Sequence, residues 1–271
     1  MNDGQELRVG IAVLGTIGKA LAKAIDAGIP GVRLAAVAAR NQAAAEDWLA
    51  SLRHSPPVVS FDAMAELCDV VVECAPAALL GDIAAPVLKA GKTIIVLSCG
   101  ALLEKQELVE LARVHGGHIH VPTGALLGLD AVIAAAEGHI RSVRMITRKP
   151  VRGLLGAPYL AEHGIDIDAI EEPLRIFSGT AREAATGFPA NLNVAVALSL
   201  AGVGPDDTHL EIWADPALTR NTHSIVVDSD AARLEMTIEN IPSENPKTGR
   251  ITAQSVVALL RKFGAPLRMG T

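Results

Sequence analysis

His223 is the residue in this chain best placed for proton transfer. It follows the polar run Thr219-Arg220-Asn221-Thr222 and opens the strand-like segment Ser224-Ile225-Val226-Val227. An imidazole with its ordinary pKa near 6.5 accepts and returns a proton close to neutral pH. Most lone histidines are structural, and the polar run before it sets His223 apart. His54, His115, His139, His163 and His209 have plainer settings. His118 and His120 alternate along a short strand, but no third ligand stands at a useful spacing, so no metal site is expected.

A second chemical feature lies near the start. Val13-Leu14-Gly15-Thr16-Ile17-Gly18 joins an apolar run to a helix-like segment and carries two of the three glycines of the dinucleotide-binding pattern G-x-G-x-x-G. Gly15 would let the backbone approach a pyrophosphate, and Gly18 would let the helix pack closely on its strand. The helix N-terminus adds free N–H groups and partial positive charge. Val13 stands where the first glycine belongs. Its Cβ predicts a turn that avoids positive φ there and is slightly displaced, while still binding pyrophosphate over Gly15, Thr16 and Ile17. About 22 residues beyond Gly18, where an NAD enzyme carries an acid for the ribose, the chain reads Ala39-Arg40-Asn41. Arg40 could stack on adenine or pair with a 2′-phosphate, which admits NADP as well as NAD.

Other polar residues are candidates for an anionic ligand. Asn191 and Asn193 open an otherwise apolar segment. They suit a carboxylate or carboxamide, with N-cap duty expected of one of them. Asn245, Lys247 and Thr248 lie in a loop before the last helix and could hold an anion. Thr147-Arg148-Lys149-Pro150 adds two more cations, Arg148 and Lys149, with simple solvation as their alternative reading.

The elements that must position these residues alternate over the first 122 positions. Strand-like runs at 8–15, 32–40, 68–75, 92–100 and 118–122 are separated by helix-like stretches at 17–28, 41–52, 79–91 and 103–116. Buried Val- and Ile-rich strands alternating with amphipathic helices predict a parallel sheet wound by right-handed crossovers. After Pro122 the pattern changes. A helix is expected over 123–138 and another over 191–202. Segments 140–150, 173–180, 209–216, 222–229 and 233–240 alternate apolar and polar residues, as strands of an open antiparallel sheet with one solvated face do. A final helix over 251–264 is expected to pack back on the first domain. The expected division is 1–122 with 247–271 as a dinucleotide-binding domain, and 123–246 as an α+β domain.

Composition narrows the function classes. Among 271 residues, 50% are hydrophobic and 20% charged, which is globular. Aromatics make up only 3% and the net charge is −6, so neither a base-stacking platform nor a basic footprint for nucleic acid or anionic membrane is present. Three cysteines, Cys68, Cys74 and Cys99, form no framework and suit a reducing, cytoplasmic setting. The early apolar run is too short to span a bilayer and lacks a cleavage pattern.

Several blocks together resemble one family, the L-aspartate dehydrogenases. They are Gly15-Thr16-Ile17-Gly18, the stretches 122–132, 147–150, 188–202 and 215–225, and the long segment 239–260, in family order across nearly the whole chain. The resemblance implies a Rossmann-type domain plus an α+β catalytic domain that carries a homodimer contact, with NAD or NADP as cofactor. It implies that His223 is the active-site histidine and that Ala125 and Asn193 contact the cofactor. The implied reaction is oxidative deamination of a small amino diacid, L-aspartate, through iminosuccinate to oxaloacetate and ammonia, or the reverse. Two rival readings remain open at this point: an NADP-dependent reductase of another small carboxylate or imine, and a cofactor-binding sensor without turnover.

Overall fold

The computed structural model describes residues 6–189, 192–243 and 249–270. Asn191, Asn245, Lys247 and Thr248 lie outside the described residues. Two compact units are present. One runs to Gly124 and takes up Ala253–Arg268; the other runs from Ala125 to Thr252, with Met269 and Gly270.

The first unit follows the alternating pattern of its sequence: β1 (Leu7–Ala12), α1 (Thr16–Gly28), β2 (Val32–Ala38), α2 (Gln42–Leu49), α3 (Phe61–Leu67), β3 (Val70–Glu73), α4 (Leu80–Lys89), β4 (Thr93–Val96), α5 (Gln106–His115) and β5 (His118–His120). All strands are parallel, in the order β2-β1-β3-β4-β5. The chain leaves β1 toward β2 on one side and later returns to β3 on the other. That reversal makes the carboxyl ends of β1 and β3 the switch point of the sheet, where ligands of such folds bind.

The strands are buried along most of their length, which is why they read as continuous apolar runs. Helix α1 turns Leu21, Ala22 and Ile25 onto Val9, Ile11, Val37 and Val72. Helix α10 (Ile251–Gly264) adds Val256 and Leu260 to the same core, both fully buried. Each such side chain contributes about 1.5–3 kcal/mol on leaving water. Arg8 on β1 grips Asp69, just before β3, through Nε and Nη2 at 3.0 and 2.6 Å.

The second unit contains α6 (Leu129–Ala136), β6 (Ile140–Lys149), α7 (Pro158–Glu162), β7 (Leu174–Thr180), α8 (Ala181–Gly187), α9 (Asn193–Ala201), β8 (Thr208–Ala214), β9 (Asn221–Ser229) and β10 (Arg233–Asn240). Its sheet has the order β10-β9-β6-β8-β7. All the expected strands are present, with the expected period of two: β9 buries every second residue from Asn221 to Ser229. The sheet is antiparallel except between β6 and β8, which run parallel. The long connection through α7, β7, α8 and α9 gives the chain room for that crossover.

Three short helices have no counterpart in the sequence reading: α3, α7 and α8. They run for seven, five and seven residues, too short for a 3.6-residue period to declare itself. Helix α6 begins at Leu129, later than the expected 123, because Gly124 and Gly128 both hold positive φ ahead of it.

Candidate active site

In the first unit the turn from β1 to α1 lies at the sheet's switch point. The expectation for Val13 is overturned. Its φ is +78°, in the left-handed region, and it alone among the described non-glycine residues has positive φ. The turn therefore keeps the backbone form of the glycine pattern and places a β-branched side chain in it, at a local cost on the order of 1–3 kcal/mol. Packing enforces this shape. The Val13 N–H donates to the Ala38 carbonyl at 2.8 Å, and the Val13 carbonyl oxygen fills the space a Cβ on Gly18 would need.

The first turn of α1 is left open to an anion. Gly15 is its N-cap and supplies no side-chain bond, and no acidic side chain stands in the turn. A Cβ added to Gly15 would meet nothing within 4 Å. Exposed N–H groups at a helix start, bare of side-chain acceptors and facing open space, fit a pyrophosphate. Arg40 is exposed just past β2 and has no hydrogen-bond or ion-pair partner among the described residues. Asn41 is the α2 cap, its Oδ1 accepting from the Ala44 N–H at 3.1 Å.

Glu73, which the sequence reading passed over, ends β3 beside this turn and is fully buried. Its carboxylate accepts from the N–H groups of Ala75, Leu97 and Ser98 at 2.7, 3.1 and 2.9 Å, and from Ser98 Oγ at 2.8 Å. These bonds tie together the loops after β3 and β4. Burial raises the carboxyl pKa, and the four donors oppose that rise. A lone Glu at the end of an apolar run gives no sequence sign of four such partners.

In the second unit, one end of the sheet buries a polar group. His223 on β9 is only 3% exposed. Its Nδ1 lies 3.2 Å from Thr147 Oγ1, directly across on β6. One rung further along the same face come Lys149 on β6, Asn221 on β9 and Asn240 on β10. All three are buried, Lys149 to 4% exposure. The space above Gly153 brings two of them together: a Cβ built there would lie 3.7 Å from Asn221 Oδ1 and 3.9 Å from Lys149 Cβ.

Two sequence expectations change here. Lys149 is not solvated. Strand β6 runs two residues beyond Thr147 on the buried face, so period-two alternation turns Lys149 inward and Arg148 outward. Arg148 lies with its guanidinium 4.8 Å from the Trp213 ring centre and its Nη1 3.7 Å from Asp215. Nor does His223 hold the ordinary imidazole pKa. Burial first, and then the positive charge of Lys149, push it from 6.5 down to about 3. The ring is neutral at pH 7.

Asn240 carries a further signal. Its Nδ2 donates to the Ala125 carbonyl at 2.8 Å. A carbonyl can only accept, so this bond fixes the amide's orientation. Asn240 Oδ1 is then left buried with no partner among the described residues. Ala125, half-buried in the loop before α6, is thus joined through Asn240 to the His223 end of the sheet. Asn193 is the first residue of α9, whose N-cap is Leu192 without a side-chain bond, so Asn193 does not cap the helix. No group of metal-ligating side chains was found among the described residues.

A parallel sheet with a bare glycine turn at its switch point, and a second sheet burying an imidazole, a lysine and an unsatisfied amide, define a dinucleotide-dependent dehydrogenase. Comparison with known proteins makes this specific. The profile "Homoserine dehydrogenase, NAD binding domain" matches residues 14–122, and "Aspartate dehydrogenase, C-terminal" matches residues 130–263. A Bordetella bronchiseptica protein named L-aspartate dehydrogenase 3 is 61% identical, over 100% of both chains. L-aspartate dehydrogenase of Bradyrhizobium diazoefficiens is 59% identical, covering 98% of this chain and 95% of its own. The crystal structure of Thermotoga maritima aspartate dehydrogenase superposes with a TM-score of 0.72 at 24% identity, over 98% of this chain and 100% of that one, which shows a shared fold. The chain belongs to the L-aspartate dehydrogenase family.

Proposed function

We propose that this protein oxidises L-aspartate at its amine carbon with NAD or NADP, giving iminosuccinate and then oxaloacetate and ammonia, and catalyses the reverse reductive amination. The observation that carries this reading is the 61% identity, along the full length of both chains, to a named L-aspartate dehydrogenase. The buried His223 face supports it independently.

The chain's own residues divide the work. Gly15, Thr16, Ile17 and Gly18 supply the open helix start for the pyrophosphate, and Arg40 stands free to meet the adenosine end. Ala125 and Asn193 are further cofactor contacts in this reading. A nicotinamide cofactor held by these residues would supply the acceptor for the hydride of the substrate Cα. His223, neutral and held by Thr147, has a ring nitrogen able to accept a proton from the amine or from attacking water. Asn191, Asn245, Lys247 and Thr248 remain proposed substrate contacts.

The protein is proposed to act as a cytoplasmic homodimer on a small dicarboxylic amino acid, without nucleic-acid or membrane partners. None of the three cysteines forms a disulfide among the described residues, in keeping with a reducing compartment. No helix among the described residues is long and apolar enough to cross a membrane.

The test is reduction of NAD and NADP in the presence of L-aspartate, followed by absorbance, with His223→Ala alongside. Loss of a placed acid–base group lowers kcat by roughly 100- to 10,000-fold and leaves cofactor affinity nearly intact. No turnover of L-aspartate by the unmodified protein with either cofactor would overturn the reading. Near-normal turnover by His223→Ala from pH 6 to 10 would remove His223 from the mechanism.

A further inference from the structure

We infer that Asn240 Oδ1 is the acceptor for the substrate's amine, holding one of its N–H groups while the other faces the ring of His223. The inference rests on the aspartate dehydrogenase reading and deepens it by assigning a catalytic residue to the reacting nitrogen.

Three observations carry it. First, Asn240, the last residue of β10, is almost wholly buried, and its Oδ1 has no donor among the described residues. The Nδ2 bond to the Ala125 carbonyl keeps the amide from turning that oxygen elsewhere. A buried acceptor without a donor is costly, so its place in a folded protein points to a ligand bearing N–H groups. Second, the space beside the oxygen is kept clear. Gly249 is bridged to Pro242 where the chain folds back past the end of β10, and a Cβ on it would lie 3.2 Å from Asn240 Oδ1. Any side chain there would crowd the oxygen, and glycine leaves it room.

Third, the oxygen shares a face with the proton acceptor. Asn240 pairs with Asn221 and Ile238 with His223, so Asn240 and His223 are diagonal neighbours on the buried face of β9 and β10. Such neighbours lie about 7–8 Å apart, less at their side chains. Two acceptors of one amine stand about 5 Å apart, each about 3 Å from the nitrogen, so one nitrogen can serve both. The tautomer in which Nδ1–H donates to Thr147 Oγ1 leaves His223 Nε2 with its lone pair. A neutral amine has two N–H groups and one lone pair. With its N–H groups donated to Asn240 Oδ1 and His223 Nε2, the pair stays free to form the C=N bond as the Cα hydride passes to the cofactor. The nitrogen then carries positive charge, which strengthens its bond to Oδ1, and the iminium proton facing Nε2 is the one released to His223. An acceptor whose bond strengthens as charge develops lowers the barrier as well as holding the substrate.

The experiment compares the protein with Asn240→Ala, which removes the oxygen, and with Gly249→Ala, which sets a methyl group against it and keeps the bond to Ala125. Both directions are assayed: oxidation of L-aspartate, with succinate as an inhibitor that has no amine, and reductive amination of oxaloacetate by ammonium. Loss of one hydrogen bond to a nitrogen that gains charge lowers kcat for oxidation and raises KM for ammonium, each by roughly 10- to 100-fold in Asn240→Ala. Gly249→Ala moves both in the same direction. The inhibition constant of succinate and KM for the cofactor stay within about threefold. Thermal unfolding checks that the variants are folded. Should Asn240→Ala not be, Gly249→Ala alone is read.

If unmodified protein turns over L-aspartate and the variants keep kcat and the ammonium KM within about threefold, Asn240 does not hold the amine. Succinate inhibition that weakens in step with kcat makes Asn240 a structural residue and overturns the inference. A rise in cofactor KM alone also overturns it, assigning Oδ1 to the carboxamide of the cofactor. If unmodified protein does not turn over L-aspartate, the functional reading fails, and calorimetric binding of L-aspartate and of succinate judges Asn240. Weaker binding of L-aspartate alone in the variants then upholds an amine site, and equal binding, or none to any of them, overturns it.

Discussion

The neutral, buried state of His223 has a thermodynamic consequence that is measurable without substrate or cofactor. In the unfolded chain the imidazole titrates near its ordinary 6.5, whereas in the folded protein it titrates at about 3. Between those values the unfolded chain holds a proton that the native chain refuses. Stability from this residue is therefore complete above pH 6.5 and is lost as pH falls toward about 3. The slope approaches about 1.4 kcal/mol per pH unit, and from pH 7.5 to 5 the loss sums to about 2 kcal/mol. Other groups titrate in the same range, so the measurement is a double difference. Urea unfolding is followed at pH 7.5 and pH 5 for the protein and for His223→Asn, which keeps a polar group near Thr147 but does not titrate. The variant is less stable at pH 7.5, having lost a packed ring, but its further loss on going to pH 5 is smaller by about 2 kcal/mol. If both proteins lose the same stability between the two pH values, His223 is not held neutral by burial, and the account of this face is wrong.

Two further outcomes concern the nucleotide turn. Arg40 is exposed and free to meet a 2′-phosphate, so NADP is expected to serve at least as well as NAD, and Arg40→Asp shifts the ratio of their kcat/KM values toward NAD by roughly 10- to 100-fold. A strong NAD preference in the unmodified protein, unmoved by Arg40→Asp, refutes this. Gly15 has φ −79° and ψ −166°, which any residue adopts, and open space where a Cβ would go. Gly15→Val therefore leaves unfolding temperature little changed while calorimetric cofactor binding is lost. Unchanged affinity would place the nucleotide elsewhere.

Most of the fold was legible because its signals are local. The parallel strands bury both faces and read as apolar runs, and the strands of the second sheet announce themselves by alternation. Two kinds of feature were not. One is direction: the parallel pairing of β6 with β8 depends on a crossover whose path no local pattern records. The other is the fate of single polar residues. Lys149 sits in a polar run of three, Thr147-Arg148-Lys149, and nothing in that run shows which side chain turns inward. Strand phase decides it, and that phase is set by Val143, Met145 and Thr147, six, four and two residues before. Val13 misled for the opposite reason. Its side chain argued for one backbone conformation, while the packing of Gly18 against its carbonyl imposed another.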